Sequence, residues 1–459
     1  MRTEAARRVW SNALIAAGRA FRTTTMLSTT ARFLVSAKKD ATALYVIQIC
    51  NYVVPLVALP YLTRTLGPDR LGQIGFAQAF IQFFIMVTDF GFDLSTARQV
   101  SISRNDPVEL ARLYWTVTAA KTGLAAACAT LILMLVLFVP ALQADRLVIA
   151  VSLLSLAGTV LNPLWLYQGL EKMPQMAVVS FASRVACLLP LFLFVRSPDH
   201  YLVAAATLFA PLLLSGLWLT AAAHRTGMVR SWQRVTWDGV RAQSIDAFQI
   251  FSGSALTFLY TYANTIVLKF VSGNVAVGYY VTAEKLVSPI RQLLWPLVQT
   301  MYPRVCKLYS DGKTAEADDI FRKCMLIVVA VNGAAIVFVQ LFGSFVIRIV
   351  FGARFMPALP VLKVLIFLPL VLAIAVVLLQ LRLLAQGELR PLKRIYAIGA
   401  AFHVLQSVWL VMSFGAVGTA VSVVLTELLV AALVYQECKG VRERNLLRSP
   451  PLGIRDGRA

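Results

Sequence analysis

Residues 124–139 read LAAACATLILMLVLFV, sixteen positions with no charge and no polar side of a helix. A helix apolar all round has no face for water, so it belongs in a core or a bilayer. Working outward, the charge-free region runs from Thr122 to Ala144. That exceeds the roughly 20 residues needed to cross a hydrocarbon layer. Runs of the same kind recur at 147–166 and 328–342, with Lys and Arg crowded between them. Of 459 residues, 59% are hydrophobic and 14% charged, with mean hydropathy +0.73. A soluble chain would carry about 25% charged residues. The pattern predicts an all-α polytopic membrane protein with about twelve spans, at 42–64, 72–96, 116–139, 147–167, 175–195, 201–223, 245–271, 276–303, 325–347, 359–385, 394–413 and 416–436. A barrel is excluded, because barrel strands alternate over about 10 residues and these runs do not.

The net charge of +21 would point to nucleic acid in a soluble protein. In a membrane protein the sidedness of Lys and Arg is the better reading. With the N-terminus inside, the inner segments hold 31 of the 43 basic residues and the outer segments only 6. The charge is thereby assigned to orientation and to anionic membrane lipids, with no nucleic-acid partner. A cytoplasmic (inner) membrane location with both termini in the cytoplasm is expected. Residues 1–40 form a basic cytoplasmic segment, read as a disordered tail or as a cationic interfacial helix carrying Val9, Trp10, Leu14 and Phe21 on one face. Residues 41–223 would be one six-helix bundle, 224–244 a cytoplasmic linker, 245–437 a second bundle and 438–459 a basic tail. The six cysteines show no CxxC or Cys/His spacing, so reduced thiols and no metal are expected. A phosphate-binding GxxxxGK[ST] motif does not occur. No cofactor is expected, although coupling to protons or another ion stays open.

Two internal matches organise the halves. Gly67-Pro-Asp-Arg-Leu-Gly72, followed by Ala77-Gln78, aligns without gaps on Gly273-Asn-Val-Ala-Val-Gly278, followed by Ala283-Glu284, an offset of 206. Gln168-Gly169 and Pro174 align on Gln386-Gly387 and Pro391, an offset of 218. Six spans per half is an even number, which makes the two bundles parallel repeats with a substrate path between them.

Polar groups inside spans need a reason, since a charge at the bilayer centre costs at least about 2.5–3.5 kcal/mol. The second span carries Gln78, Gln82, Asp89 and Asp93 on one face, and the eighth carries Glu284, Ser288 and Arg291, with Lys285 beside them. The repeat superposes Gln78 on Glu284 and Gln82 on Ser288. These stripes, with Lys269, are the candidate substrate path. Asp93 and Arg98 are candidates for a cytoplasmic gate and read equally as a local ion pair; Lys121 is placed at the interface. For a span entering near Ala276, Glu284 lies about 12 Å deep and Arg291 about 22 Å deep, too far apart along one helix to pair easily. Glu427 is read as a proton site or a hydrogen-bonded structural group. The three histidines form no cluster.

The run 51–67 (NYVVPLVALPYLTRTLG), then Gly72, then Thr88-Asp-Phe-Gly-Phe-Asp93 and Arg98, resembles the first two helices of Wzx-type O-antigen and exopolysaccharide flippases. These belong to the multidrug/oligosaccharidyl-lipid/polysaccharide exporter superfamily. Gly278-Tyr-Tyr280, Ala283-Glu-Lys-Leu286 and Tyr302-Pro303 are similar to that family's helices 7–8. The resemblance spans residues 40–437 and implies a flippase, not an enzyme. It would move an undecaprenyl-diphosphate-linked oligosaccharide from the cytoplasmic to the periplasmic leaflet by alternating access, for surface polysaccharide synthesis. A cationic interior suited to a diphosphate is implied too, with a polysaccharide polymerase and a chain-length regulator as partners. A small-solute or drug antiporter of the same superfamily is the competing class. A membrane polysaccharide polymerase would need a sizeable outer loop, which the sequence lacks.

Overall fold

The computed structural model describes residues 56–229, 232–388 and 391–448, with side chains considered except at 253–261, 391 and 442–448. The basic segment 1–40 and the motif residues 51–55 lie outside them. Among the described residues, nine helical stretches are long and apolar enough to cross a membrane. Three of them, Leu56–Ile102, Tyr262–Ser310 and Leu392–Val441, run to 47, 49 and 50 residues. At 1.5 Å per residue each is about 70–75 Å long, over twice a hydrocarbon core of about 30 Å. Each contains a glycine with positive φ close to one end of the molecule: Gly67 (+74°), Gly273 (+78°) and Gly415 (+54°), the first stretch having a second at Gly91 (+82°). A residue with a Cβ resists that conformation, so the long helices break there. Counting each broken helix as two gives twelve helical segments among the described residues, the first of them described only from Leu56.

The segments are α1 (56–66), α2 (68–102), α3 (Pro107–Phe138), α4 (Arg146–Gly169), α5 (Met173–Phe194), α6 (Tyr201–Arg225), α7 (237–272), α8 (274–310), α9 (Thr314–Val350), α10 (Ala358–Gln386), α11 (391–414) and α12 (416–448). Several outlast their apolar stretch, because backbone hydrogen bonding and caps decide where a helix ends. Asp106 accepts from the amides of Val108 and Glu109 at 3.0 and 3.1 Å, with Pro107 as the first residue of α3. Thr236 caps α7 through the Gly239 amide, so helix begins inside the expected 224–244 linker. α2 continues past its expected end at 96 and turns at Phe90–Gly91, both with positive φ (44° and 82°). α8 breaks at Leu294, where Pro296 lacks an amide hydrogen and crowds the carbonyl of Gln292.

The turns at 67, 144–145, 195–200, 273, 351–357 and 415 gather at one end, called the far end. Tyr61 Oη donates to the Val195 carbonyl at 2.6 Å, Arg64 donates to the Ile349 carbonyl, and Gly415 lies 3.4 Å from Ser272 Oγ measured from its would-be Cβ. The turns at 103–106, 170–172, 226–236, 311–313 and 387–390 form the basic end.

The repeat at offset 206 reappears as a reciprocal contact. A Cβ on Gly72 would overlap the carbonyl oxygen of Asn274, and one on Gly278 would overlap that of Pro68. Position 72 corresponds to 278 and 68 to 274, so each half presents the same glycine to the same carbonyl of the other. The contact is reciprocal between α2 and α8, as an exchange of equivalent positions requires. The match at offset 218 has no such counterpart. Gly169 is pressed against Ala97 and Val100, whereas Gly387 (φ +80°) has open space about it.

Candidate functional site

A cavity of about 400 Å³ lies between the halves, with walls from α2, α4, α6, α7, α8, α10 and α12. Its polar lining is Gln78 and Gln82 from α2, Glu284, Lys285 and Arg291 from α8, Asn264 and Thr265 from α7, and Glu427 from α12. Gln78 and Gln82 meet the α8 stripe because both helices turn their i, i+4 faces to the same axis. Lys285 Nζ donates to Gln78 Oε1 at 3.1 Å, a bond directly across the halves.

Arg291 corrects the expectation of separate partners. Its Nη2 lies 3.7 Å from Glu284 Oε1, two turns away on the same face. Seven residues rise about 10.5 Å, and the two long side chains leaning toward one another close most of that distance. The contact is loose, and the two side chains stay 29% and 36% exposed. The lining therefore sets Lys285 and Arg291 against Glu284 and Glu427, in place of the cationic interior implied by the resemblance.

Five of the candidates sit elsewhere. Ser288 is half-buried beside the stripe and is not among the lining residues. Asp89 and Asp93 do not line the cavity; both accept from Lys121 of α3, at 2.9 and 3.0 Å. Lys121 is accordingly not interfacial, for its side chain is only 2% exposed. The two carboxylates bracket the Phe90–Gly91 turn, and the ammonium between them offsets the strain of a phenylalanine in the left-handed region. Arg98 is exposed and forms no ion pair among the described residues, so the expected Asp93–Arg98 pair does not occur.

Lys269 is a far-end seal. Its Nζ lies 2.5 Å from Asp145 Oδ2, with the side chains 9% and 0% exposed. Lys269 also donates to Asn274 Oδ1, and Asn274 Nδ2 donates to Asp145 Oδ1 at 3.4 Å. The α3–α4 turn of one half is thus tied to the α7–α8 turn of the other. At the basic end the halves meet through Phe90, stacked on Phe251 with centroids 4.9 Å apart, and through Gly91, whose Cβ would crowd the Ala247 carbonyl. Gln243 donates to Gln99 Oε1 at 2.7 Å, and Gln99 donates to Asp246 Oδ2 at 3.3 Å.

A polar knot that single-residue reading missed sits behind the cavity. His403 of α11 shares hydrogen bonds with Thr426 Oγ1 (2.8 Å) and with Asn264 Oδ1 (2.9 Å). Gln406 donates to the Ser422 carbonyl and to Thr426. The signal was present as His403, Gln406 and Ser407 on one face of α11, opposite Ser422 and Thr426 four residues apart on α12. Arg382 likewise pairs with Asp318 at 2.6 Å and lies over the Phe321 ring, joining α10 to α9.

Comparison with known proteins agrees with this architecture. A protein named as a candidate O-antigen transporter in Escherichia coli (strain K12) is 26% identical over 399 residues, 87% of this chain and 96% of its own length. A similarly named protein of Shigella dysenteriae is 27% identical over 407 residues, covering 88% and 100%. Among solved structures, the lipid II flippase MurJ in an inward closed conformation superposes with TM-score 0.68 at 13% identity, over 87% of each chain. An inward-facing multidrug resistance MATE family transporter of the MOP superfamily gives TM-score 0.68 at 13% identity, over 89% of this chain and 99% of that one. The structural likenesses establish the fold as that of a polytopic transporter. Residues 37–309 match the family model described as polysaccharide biosynthesis protein, and the chain belongs to that family.

Proposed function

We propose that this chain is a flippase that carries an undecaprenyl-diphosphate-linked oligosaccharide from the cytoplasmic to the periplasmic leaflet of a bacterial inner membrane. It is a transporter and not an enzyme, in keeping with the names of its relatives. The observation that carries the reading is the cavity between the halves. It places Arg291 and Lys285 beside Gln78 and Gln82, within a span, in a member of a polysaccharide biosynthesis family. An arginine there can grip two phosphate oxygens at once through its planar donors. Glu284 holds Arg291 loosely in the unloaded protein, and an arriving diphosphate takes its place. Alternating access follows if the contacts at the far and basic ends open in turn. The 31-to-6 basic bias supports a cytoplasmic basic end with both termini on that side. A polymerase and a chain-length regulator would act on the delivered unit.

The direct test deletes the gene and follows the lipid-linked oligosaccharides. Accumulation of one such species in the cytoplasmic leaflet, reversed by the intact gene and not by the Arg291→Ala variant at equal membrane level, is the expected result. Unchanged surface polysaccharide, with sensitivity to a small cationic solute, would favour the antiporter instead.

A further inference from the structure

A second cavity, of about 180 Å³, adjoins the first and shares Arg291 and Leu372 with it. Apart from Gln292 beside Arg291, its remaining walls are apolar: Leu294, Trp295, Val298, Val328, Ala373 and Val376. The break of α8 at Leu294, before Pro296, lies in its wall. Trp295 is 43% exposed, so the wall reaches the outer surface of the bundle. Leu293 (64% exposed) and Leu326 (72%) flank that wall on α8 and α9. The cavity is therefore a seam running from Arg291 toward lipid.

Its depth is informative. Counted from the far ends of their helices, Val328 of α9 and Val376 of α10 lie about 33 and 27 Å along. Both lie nearer the basic end of their helices than the far end. A cavity of 180 Å³ holds about six water-sized groups, room enough for one five-carbon isoprene unit.

An amphipathic substrate poses a problem that this seam solves. The diphosphate and sugars require the hydrated cavity, whereas a long prenyl chain gains nothing by leaving lipid, since lipid tails are as apolar as the protein wall. The chain must pass from the phosphate site to the bilayer without crossing polar lining. We propose that the seam between the α8 break and α9–α10 seats the first isoprene unit of the polyprenyl tail while the diphosphate is held at Arg291. The assignment rests on the flippase reading above and adds the tail site and its exit route. The role of the seam is positional: it selects a prenyl diphosphate over a soluble diphosphate and fixes which leaflet the tail enters from.

The test uses the full chain in nanodiscs of phosphatidylethanolamine and phosphatidylglycerol, with undecaprenyl diphosphate and inorganic diphosphate as separate probes. Ala373→Phe and Val376→Phe, which fill the seam, should each weaken undecaprenyl diphosphate at least tenfold and leave inorganic diphosphate within twofold. Arg291→Ala should weaken both. Should a filled variant fail to fold, a farnesyl diphosphate analogue bearing a benzophenone on its tail is applied to the unaltered protein. Cross-links at Trp295, Val298 or Ala373, displaced by undecaprenyl diphosphate, are expected. Filled variants that bind undecaprenyl diphosphate like the unaltered protein, or cross-links confined to other helices, would overturn the tail site and leave the flippase reading standing. Unaltered protein that binds inorganic diphosphate and no undecaprenyl diphosphate would overturn both.

Discussion

The two ends of the molecule are built differently. At the far end one continuous buried cluster runs through both halves, joining Leu71, Ile74 and Phe76 to Leu268, Val277 and Val281. At the basic end the apolar core divides. One cluster belongs to α2–α6 with Ala247 as its only buried member from the second half, and two others lie wholly within α8–α12. The far-end tie is a buried ion pair between halves, Lys269–Asp145, whereas the buried ion cluster nearest the basic end, Lys121 with Asp89 and Asp93, lies within one half. A fused end resists separation and a divided end permits it, because packed interfaces switch between discrete arrangements instead of stretching. Between the two ends, the basic end therefore has the weaker hold across the halves. The predictions below set far-end contacts against basic-end contacts.

The largest effect is expected at Gly278. A valine there would drive its Cβ into the Pro68 carbonyl, and backbone cannot give way as a flexible side chain can. Overpacking costs about 1–3 kcal/mol even where side chains can move, so Gly278→Val should exceed about 3 kcal/mol. Gly333→Val, at a glycine with open space around it, should stay within about 0.5 kcal/mol. Thermal unfolding in detergent compares the two; similar melting temperatures would show that the glycine contact does not hold the halves together.

Asp145→Ala comes next. It strands Lys269, which is 9% exposed, and removing one partner of a buried pair costs about 3–5 kcal/mol. The exchanged pair Asp145→Lys with Lys269→Asp should recover part of the loss. The informative readout is sidedness. A cysteine at Gln82 should become reachable by a membrane-impermeant thiol reagent from the far end in Asp145→Ala and not in the unaltered seal. Unchanged labelling would show that the pair supports the fold without closing the path.

Lys121→Met should cost about 3 kcal/mol, the lower part of the range for a broken buried pair. Its partners keep 33% and 28% of their side-chain exposure and can draw on water. Lys121→Met combined with Asp89→Asn and Asp93→Asn should return most of the stability, since removing all the charges together leaves none uncompensated. The contrast with Asp145 lies in labelling: Lys121→Met destabilises one half and should leave far-end accessibility of position 82 unchanged.

Much of this was legible in the sequence, for identifiable reasons. Apolar runs report spans directly, because every backbone polar group in lipid must be satisfied internally, which fixes helices there. Gly67 and Gly273 were legible because a turn needing positive φ admits few residues other than glycine, and their partners Gly72 and Gly278 because close helix approach needs the same residue. Polar stripes on the second and eighth spans were legible as faces, whereas the hydrogen bond from Lys285 to Gln78 came only with the structure. What stayed hidden were pairings between helices distant in sequence. Asp89 and Asp93 stood out as two carboxylates on one face, yet nothing in the order of residues named Lys121, 28 positions beyond Asp93, as their cation. Lys269 was assigned to the substrate path and not to a seal, because its partner Asp145 lies 124 positions earlier. The reach of Arg291 back to Glu284 was misjudged because helical rise was counted without side-chain length.

The smallest effect, and the sharpest test of the divided end, is expected for Gln99→Ala. Gln99 accepts from Gln243 and donates to Asp246, so its loss removes two hydrogen bonds between the halves at the basic end. Both partners are polar and at least partly solvated, and water replaces the missing group at little cost. A net loss of about 1 kcal/mol or less follows from the usual 0.5–1.5 kcal/mol per hydrogen bond. Stability and accessibility should part company here. The stacking of Phe90 on Phe251 would remain as the main basic-end contact, and opening should become more frequent. In inverted vesicles, labelling of a cysteine at Gln82 from the basic end is expected to rise severalfold while the melting temperature barely moves. A melting shift as large as that of Asp145→Ala would mean that the two ends are equally fused. Unchanged labelling would mean that the aromatic stack alone closes the basic end, and Phe251→Ala should then produce the increase that Gln99→Ala did not.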